Sequence, residues 1–168
     1  TLVAGIAACH ALEEGWQVAL MAPTEILAEQ HYLNFKKWFE PLGLSVSWLS
    51  GKQKGKARAA AEQAIVDGTA HLVVGTHALF QDNVRFAKLG LVIIDEQHRF
   101  GVDQRLALRN KGAQNMTPHQ LVMTATPIPR TLAMSAYGDL DTSVIDELPP
   151  GRTPIQTVTS PLDRREEV

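Results

Sequence analysis

At 168 residues the chain is long enough for one globular domain with a sizeable core, and its 45% hydrophobic and 20% charged composition excludes a disordered or fibrous protein. Its longest apolar runs are far too short to cross a bilayer, and a net charge of −2 excludes a strongly basic nucleic-acid coat, so any DNA affinity has to come from local patches. The single cysteine, Cys9, excludes an internal disulfide and fits a reducing, cytoplasmic compartment. No secretory signal opens the chain, which starts on Thr1 and runs directly into a helical pattern, and it is therefore read as a fragment.

Residues 1–14 read as a helix, with Leu2, Ile6 and Cys9 at helical spacing and Gly15 as its stop. Residues 17–22 (QVALMA) form an apolar strand ending at Pro23. Thr24 is placed to cap a helix whose Ala28, Tyr32, Phe35 and Phe39 share one face, and Pro41 with Gly43 ends it. Residues 44–49 alternate like a strand, a Gly/Lys loop follows, and residues 56–66 form an Ala-rich helix closed by Gly68. Strands are then expected at 71–74, 89–94 and 121–123, with helices at 104–110 and 130–136. Apolar strands alternating with helices predict an α/β fold, a parallel sheet covered on both faces. Each strand ends in a polar cluster, and the carboxyl edge of such a sheet is where ligands bind. Residues 149–154 (PPGRTP) mark a boundary between a domain at 1–150 and a linker with the start of a second domain at 151–168, since prolines there continue neither a helix nor a central strand.

Residues 91–96 (LVIIDE) carry the chemistry. A fully apolar strand delivers two adjacent carboxylates to the ligand edge, where phosphoryl transfer uses one acid, Asp95, to hold Mg²⁺ and another, Glu96, to position or polarise the attacking water. Taken alone, the same dipeptide is also compatible with an acidic pair capping a strand at the surface. Lys52, Lys54, Lys56 and Arg58 are candidates for phosphate contact and equally for a solvated face. The six histidines show no zinc-site spacing, and Trp16, Trp38 and Trp48 fit packing better than base stacking.

Residues 95–98 (DEQH) form a DExH box, followed after a strand and a helix by 124–126 (TAT). These resemble motifs II and III of superfamily 2 helicases, while 22–30 (APTEILAEQ) resemble motif Ia and 74–77 (VGTH) motif Ib. Four motifs in the family's order, each at a strand end, are a specific signal. Residues 98–102 (HRFGV) and 124–132 (TATPIPRTL) are similar to RecG-type helicases and to the transcription-repair coupling translocase. Gln97, 137–141 (YGDLD) and 147–152 (ELPPGR) favour the RecG family.

The resemblance implies a RecA-like P-loop NTPase fold and an enzyme that hydrolyses ATP with Mg²⁺ while moving on branched or forked DNA, such as replication forks and Holliday junctions. It implies Asp95 and Thr1 as Mg²⁺ ligands, Glu96 as the group activating water, and His98 beside the nucleotide. It further implies His98, Thr124 and Thr126 as coupling residues, and Pro23, Thr24, Gly75 and Thr76 along the DNA track. Thr1, followed by Leu2, Val3 and Ala4, matches only the last position of a P-loop. The first strand, the glycines and Lys of that loop, and the second motor domain's arginines are expected outside this sequence. Residues 1–168 alone are therefore expected to lack ATPase activity. The alternatives are another motor of the superfamily, above all the coupling translocase, and a non-catalytic nucleotide- or DNA-binding module.

Overall fold

A computed structural model describes residues 1–96, 116–125, 141–147 and 150–152, the Phe80 side chain excepted. Two compact units divide the chain, Thr1–Pro127 and Ile128–Val168. Of the proline-rich boundary expected at 149–154 only residues 150–152 are described, and the expected helices at 104–110 and 130–136 lie outside the described residues.

The first unit is built on five strands: β1 (Gln17–Met21), β2 (Val46–Leu49), β3 (Leu72–Gly75), β4 (Leu89–Asp95) and β5 (His119–Met123). All are parallel, in the order β2-β3-β1-β4-β5, as the unbroken apolar runs require for a sheet buried on both faces. Alternate residues of each strand face opposite sides. Val18 and Leu20 of β1 join Leu72, Val74 and Ile93 in one core, under helices α1 (Leu2–Glu13) and α2 (Glu25–Phe39). Ala19 and Met21 join Val73, Val92 and Ile94 in the other, against Ile65 of helix α3 (Gly55–Val66) and the 3-10 turn His77–Phe80. The expected RecA-like α/β arrangement is therefore present, with the five strands anticipated between residues 17 and 123 in place.

Two helix faces differ from expectation. α1 buries Ala4, Gly5, Ala8 and Leu12, while Leu2 and Ile6 stand 66% and 54% exposed. Small residues let the helix lie close to the sheet and to the Trp38 ring, which sits 3.2 Å from where a Gly5 Cβ would be. Close packing outweighed side-chain size. On α2, Tyr32 is only half-buried, against Trp48, and His31 is buried instead beside Ala28, Phe35 and Phe39.

Gln17, buried in the core, sets the register of β4. Its Nε2 donates to the carbonyls of Ile65 and Ala70 at 3.0 and 2.8 Å, and its Oε1 accepts from the Lys88 amide at 2.9 Å. Beside it the ladder shifts by one residue, pairing Gln17 with Leu89 and Val18 with Leu91. Gly90 is the extra residue of that bulge, and the Trp16 side chain lies 2.7 Å from the place a Cβ would take. Among the described residues no helix is long and apolar enough to cross a membrane.

Candidate functional site

The register carries the polar clusters to one edge. Met21 pairs with Gly75 on one side and with Ile94 on the other, and Asp95 pairs with Met123. Thr24, Thr76, Asp95 and Thr124 therefore all lie at the carboxyl edge of one sheet, as the spacing predicts.

At the β4–β5 end the chain makes a sharp turn. Glu96 has φ 51°, the one non-glycine residue with positive φ among those described. Such left-handed backbone costs an L-residue about 1–2 kcal/mol, an expense typical of functional sites. The turn lets the Glu96 amide donate to the Met123 carbonyl at 2.9 Å, so β4 and β5 stay paired one residue past Asp95. It also brings the Glu96 carboxylate to Thr124, whose hydroxyl donates to Oε2 at 2.9 Å. The clusters at the ends of β4 and β5 thus touch directly.

Asp95 makes a contact that the sequence does not announce. Nε2 of His31 lies 2.7 Å from its Oδ2, with side-chain exposures of 9% for the histidine and 19% for the aspartate. The two residues are 64 positions apart, so no local pattern signals the pair. The available clue is that His31 falls one turn before Phe35 on the buried face of α2.

The donor set decides which cation fits. Among the described residues no group of three or more His, Cys, Asp or Glu side chains gathers, and Asp95 and Glu96 stand as adjacent carboxylates at this edge. One or two carboxylates suit Mg²⁺, which keeps most of its waters and takes the rest of its ligands from phosphate oxygens.

The other expected site residues are more dispersed. Thr1 occupies the cap position of α1 and is exposed, making no side-chain capping bond. Pro23 is half-buried, and Thr24 is exposed with its hydroxyl accepting from the Leu27 amide at 3.3 Å. Gly75 is buried and has a structural reason to be glycine, because a Cβ there would sit on the Leu49 carbonyl oxygen of the neighbouring strand. Thr76 is 2% exposed, with its hydroxyl unpaired. His98 and Thr126 lie outside the described residues. In the basic cluster, Arg58 is bound to Glu62, the Ser50 carbonyl and Gln81, and Lys52 pairs with Glu25. Those contacts occupy two of the four basic side chains within the protein's own surface.

Comparison with known proteins agrees with this geometry. The chain is 67% identical over its whole length to ATP-dependent DNA helicase RecG of Escherichia coli K12, of which it covers 24%. It is equally identical, 67%, to the RecG of Pasteurella multocida, again across 100% of the chain and 24% of the relative. A solved structure of RecG bound to a three-way DNA junction superimposes with a TM-score of 0.80 at 46% identity, covering 99% of this chain and 22% of that one. The chain thus spans about a quarter of the length of the curated relatives it matches. The family model for DEAD/DEAH box helicases matches residues 1–135, taking in the sheet, the carboxylate pair and the threonine that touches it, and the chain belongs to that family.

Proposed function

We propose that this chain is the first motor domain of an ATP-dependent DNA helicase of the RecG type, acting on branched DNA such as replication forks and Holliday junctions in the bacterial cytoplasm. The observation that carries the reading is the Glu96–Thr124 contact beside Asp95 at the carboxyl edge of a parallel sheet. That arrangement is a phosphoryl-transfer site, and 67% identity to RecG relatives supports the choice among helicases. The junction-bound RecG structure supports branched DNA as the substrate.

In this reading Asp95 holds Mg²⁺, with Thr1 as a further oxygen ligand and His98 beside the nucleotide. Bound Mg²⁺ would neutralise phosphate charge as the terminal bond of ATP breaks. Glu96 accepts hydrogen bonds from the attacking water and orients it, and the strained turn holds its carboxylate off the strand axis. Thr124 fixes Oε2, so its position sets where Glu96 points. That contact gives motif III, Thr124 with Thr126, a physical route for passing nucleotide state toward DNA grip. Pro23 and Thr24 offer an accessible stretch of the DNA track, and buried Gly75 and Thr76 shape its floor. The second motor domain of the same protein is the expected partner across the nucleotide.

Glu96→Gln in the intact protein tests the reading. The substitution keeps size and removes the anionic group that orients water, so ATP should still bind while hydrolysis falls by at least about 10²-fold. Hydrolysis within a few fold of wild type would remove Glu96 from the mechanism.

A further inference from the structure

Among the described residues His31 is the one ionisable side chain that is buried, and nothing in the motif-based reading uses it. It sits on α2 seven residues after Thr24, two turns along the helix, with its ring edge toward Phe35 at a centroid distance of 6.4 Å. One end of the ring is satisfied and the other is not. Nε2 meets Asp95 Oδ2 at 2.7 Å, whereas Nδ1 is buried without a hydrogen-bond partner. An orphaned buried polar atom costs about 1–3 kcal/mol, which an apolar side chain of similar volume would avoid. Packing therefore gives no reason for a histidine here, and its use lies at the Nε2 end.

That end acts on a residue with rotational freedom to lose. An aspartate at a strand terminus has two side-chain torsions, and the hydrogen bond at Oδ2 fixes both while leaving Oδ1 for another ligand. We propose that His31 is a positioning residue for Asp95: it donates from Nε2 to Oδ2 and so presets the carboxylate for the cation that accompanies the nucleotide. Partners of metal-binding side chains commonly contribute a factor of roughly 10–100 in metal affinity. Because the donor rides on α2, the carboxylate's orientation depends on how that helix is seated against β2 and β3. The inference rests on the ATP–Mg²⁺ reading above.

The test compares His31→Met with His31→Gln in the intact protein. Both fill similar volume, but only Gln places an N–H near the original Nε2. Mg²⁺ is titrated at a fixed concentration of a fluorescent ATP analogue, and binding rather than turnover is read, with melting temperatures measured in parallel. The Met variant should need about tenfold more Mg²⁺ for half-saturation, and Gln should restore it to within about threefold of wild type. Melting of the Met variant should be unchanged or raised, since it removes the orphaned Nδ1; should it fail to fold, His31→Leu supplies the same comparison. Equal Mg²⁺ demand in the Met, Gln and wild-type proteins, or an equal rise in both variants, overturns the proposal. A wild-type protein without Mg²⁺-dependent nucleotide binding would instead overturn the ATP reading, a distinct result.

Discussion

Replacing Gln17 by Leu removes three hydrogen bonds that join three separate parts of the fold. The Ile65 carbonyl loses least, because it still accepts from the Gly68 amide at 3.3 Å. The Ala70 carbonyl loses its side-chain partner inside the core, while the amide of exposed Lys88 loses a part-buried bond that water can replace. The orphaned carbonyl costs about 1–3 kcal/mol and the Lys88 bond about 0.5–1.5 kcal/mol, and the extra apolar burial of Leu returns on the order of 1 kcal/mol. The net loss should be about 2 kcal/mol, a sizeable share of the roughly 5–15 kcal/mol that holds an ordinary domain together. Urea unfolding followed by tryptophan fluorescence should show a clearly lower midpoint with an unchanged slope. The effect reaches the site, because Gln17 stands at the bulge that fixes the β1–β4 register, and a slip of one residue would turn Asp95 to the opposite face. A loss below about 0.5 kcal/mol would refute the view that these bonds pin the strand.

Further expectations concern the edge and the helices. Thr124→Val deletes the hydroxyl on Glu96, and for a charge-assisted bond near solvent worth about 1–1.5 kcal/mol hydrolysis should fall roughly five- to tenfold with ATP binding retained; unchanged steady-state phosphate release would dissociate Thr124 from Glu96. Thr126→Ala should impair fork unwinding far more than basal ATPase, and equal loss of both would place motif III wholly within the chemistry. Gly75→Ala drives a methyl into the Leu49 carbonyl and should cost about 1–3 kcal/mol of stability; a melting temperature equal to wild type would show that β2 yields freely. Burial and the Glu13 carboxylate, with its 3.7 Å contact to Sγ, push the Cys9 thiol above its ordinary range. Less thiolate at a given pH means slow alkylation, so iodoacetamide labelling should gain its pH midpoint above that of a free thiol and speed up in Glu13→Gln; a midpoint at or below the free-thiol value contradicts the assignment.

The placement of these groups at a shared edge was legible in one dimension. Strands β1, β3, β4 and β5 are apolar runs long enough to be seen locally, and the residue after each run is fixed by the end of that run. Unbroken apolar runs point to a parallel sheet buried on both faces, and parallel strands put the residues that follow them, Thr24, Thr76, Asp95 and Thr124, at one carboxyl edge. The motifs extended that reading to a family. Periodicity could not say which face of α1 is buried, because Ala4 and Ala8 are chosen by the distance between helix and sheet, a property of both partners. Nor could it show that Gly75 is glycine for want of space beside Leu49. The Glu96–Thr124 and His31–Asp95 contacts span 28 and 64 residues and exist only because β5 lies beside β4 while α2 covers the sheet. Chain-local patterns specify which segments are strands and where each one ends. Which side chains meet beyond those ends depends on the order of strands and the seating of helices, and that is decided by packing between segments far apart in the chain.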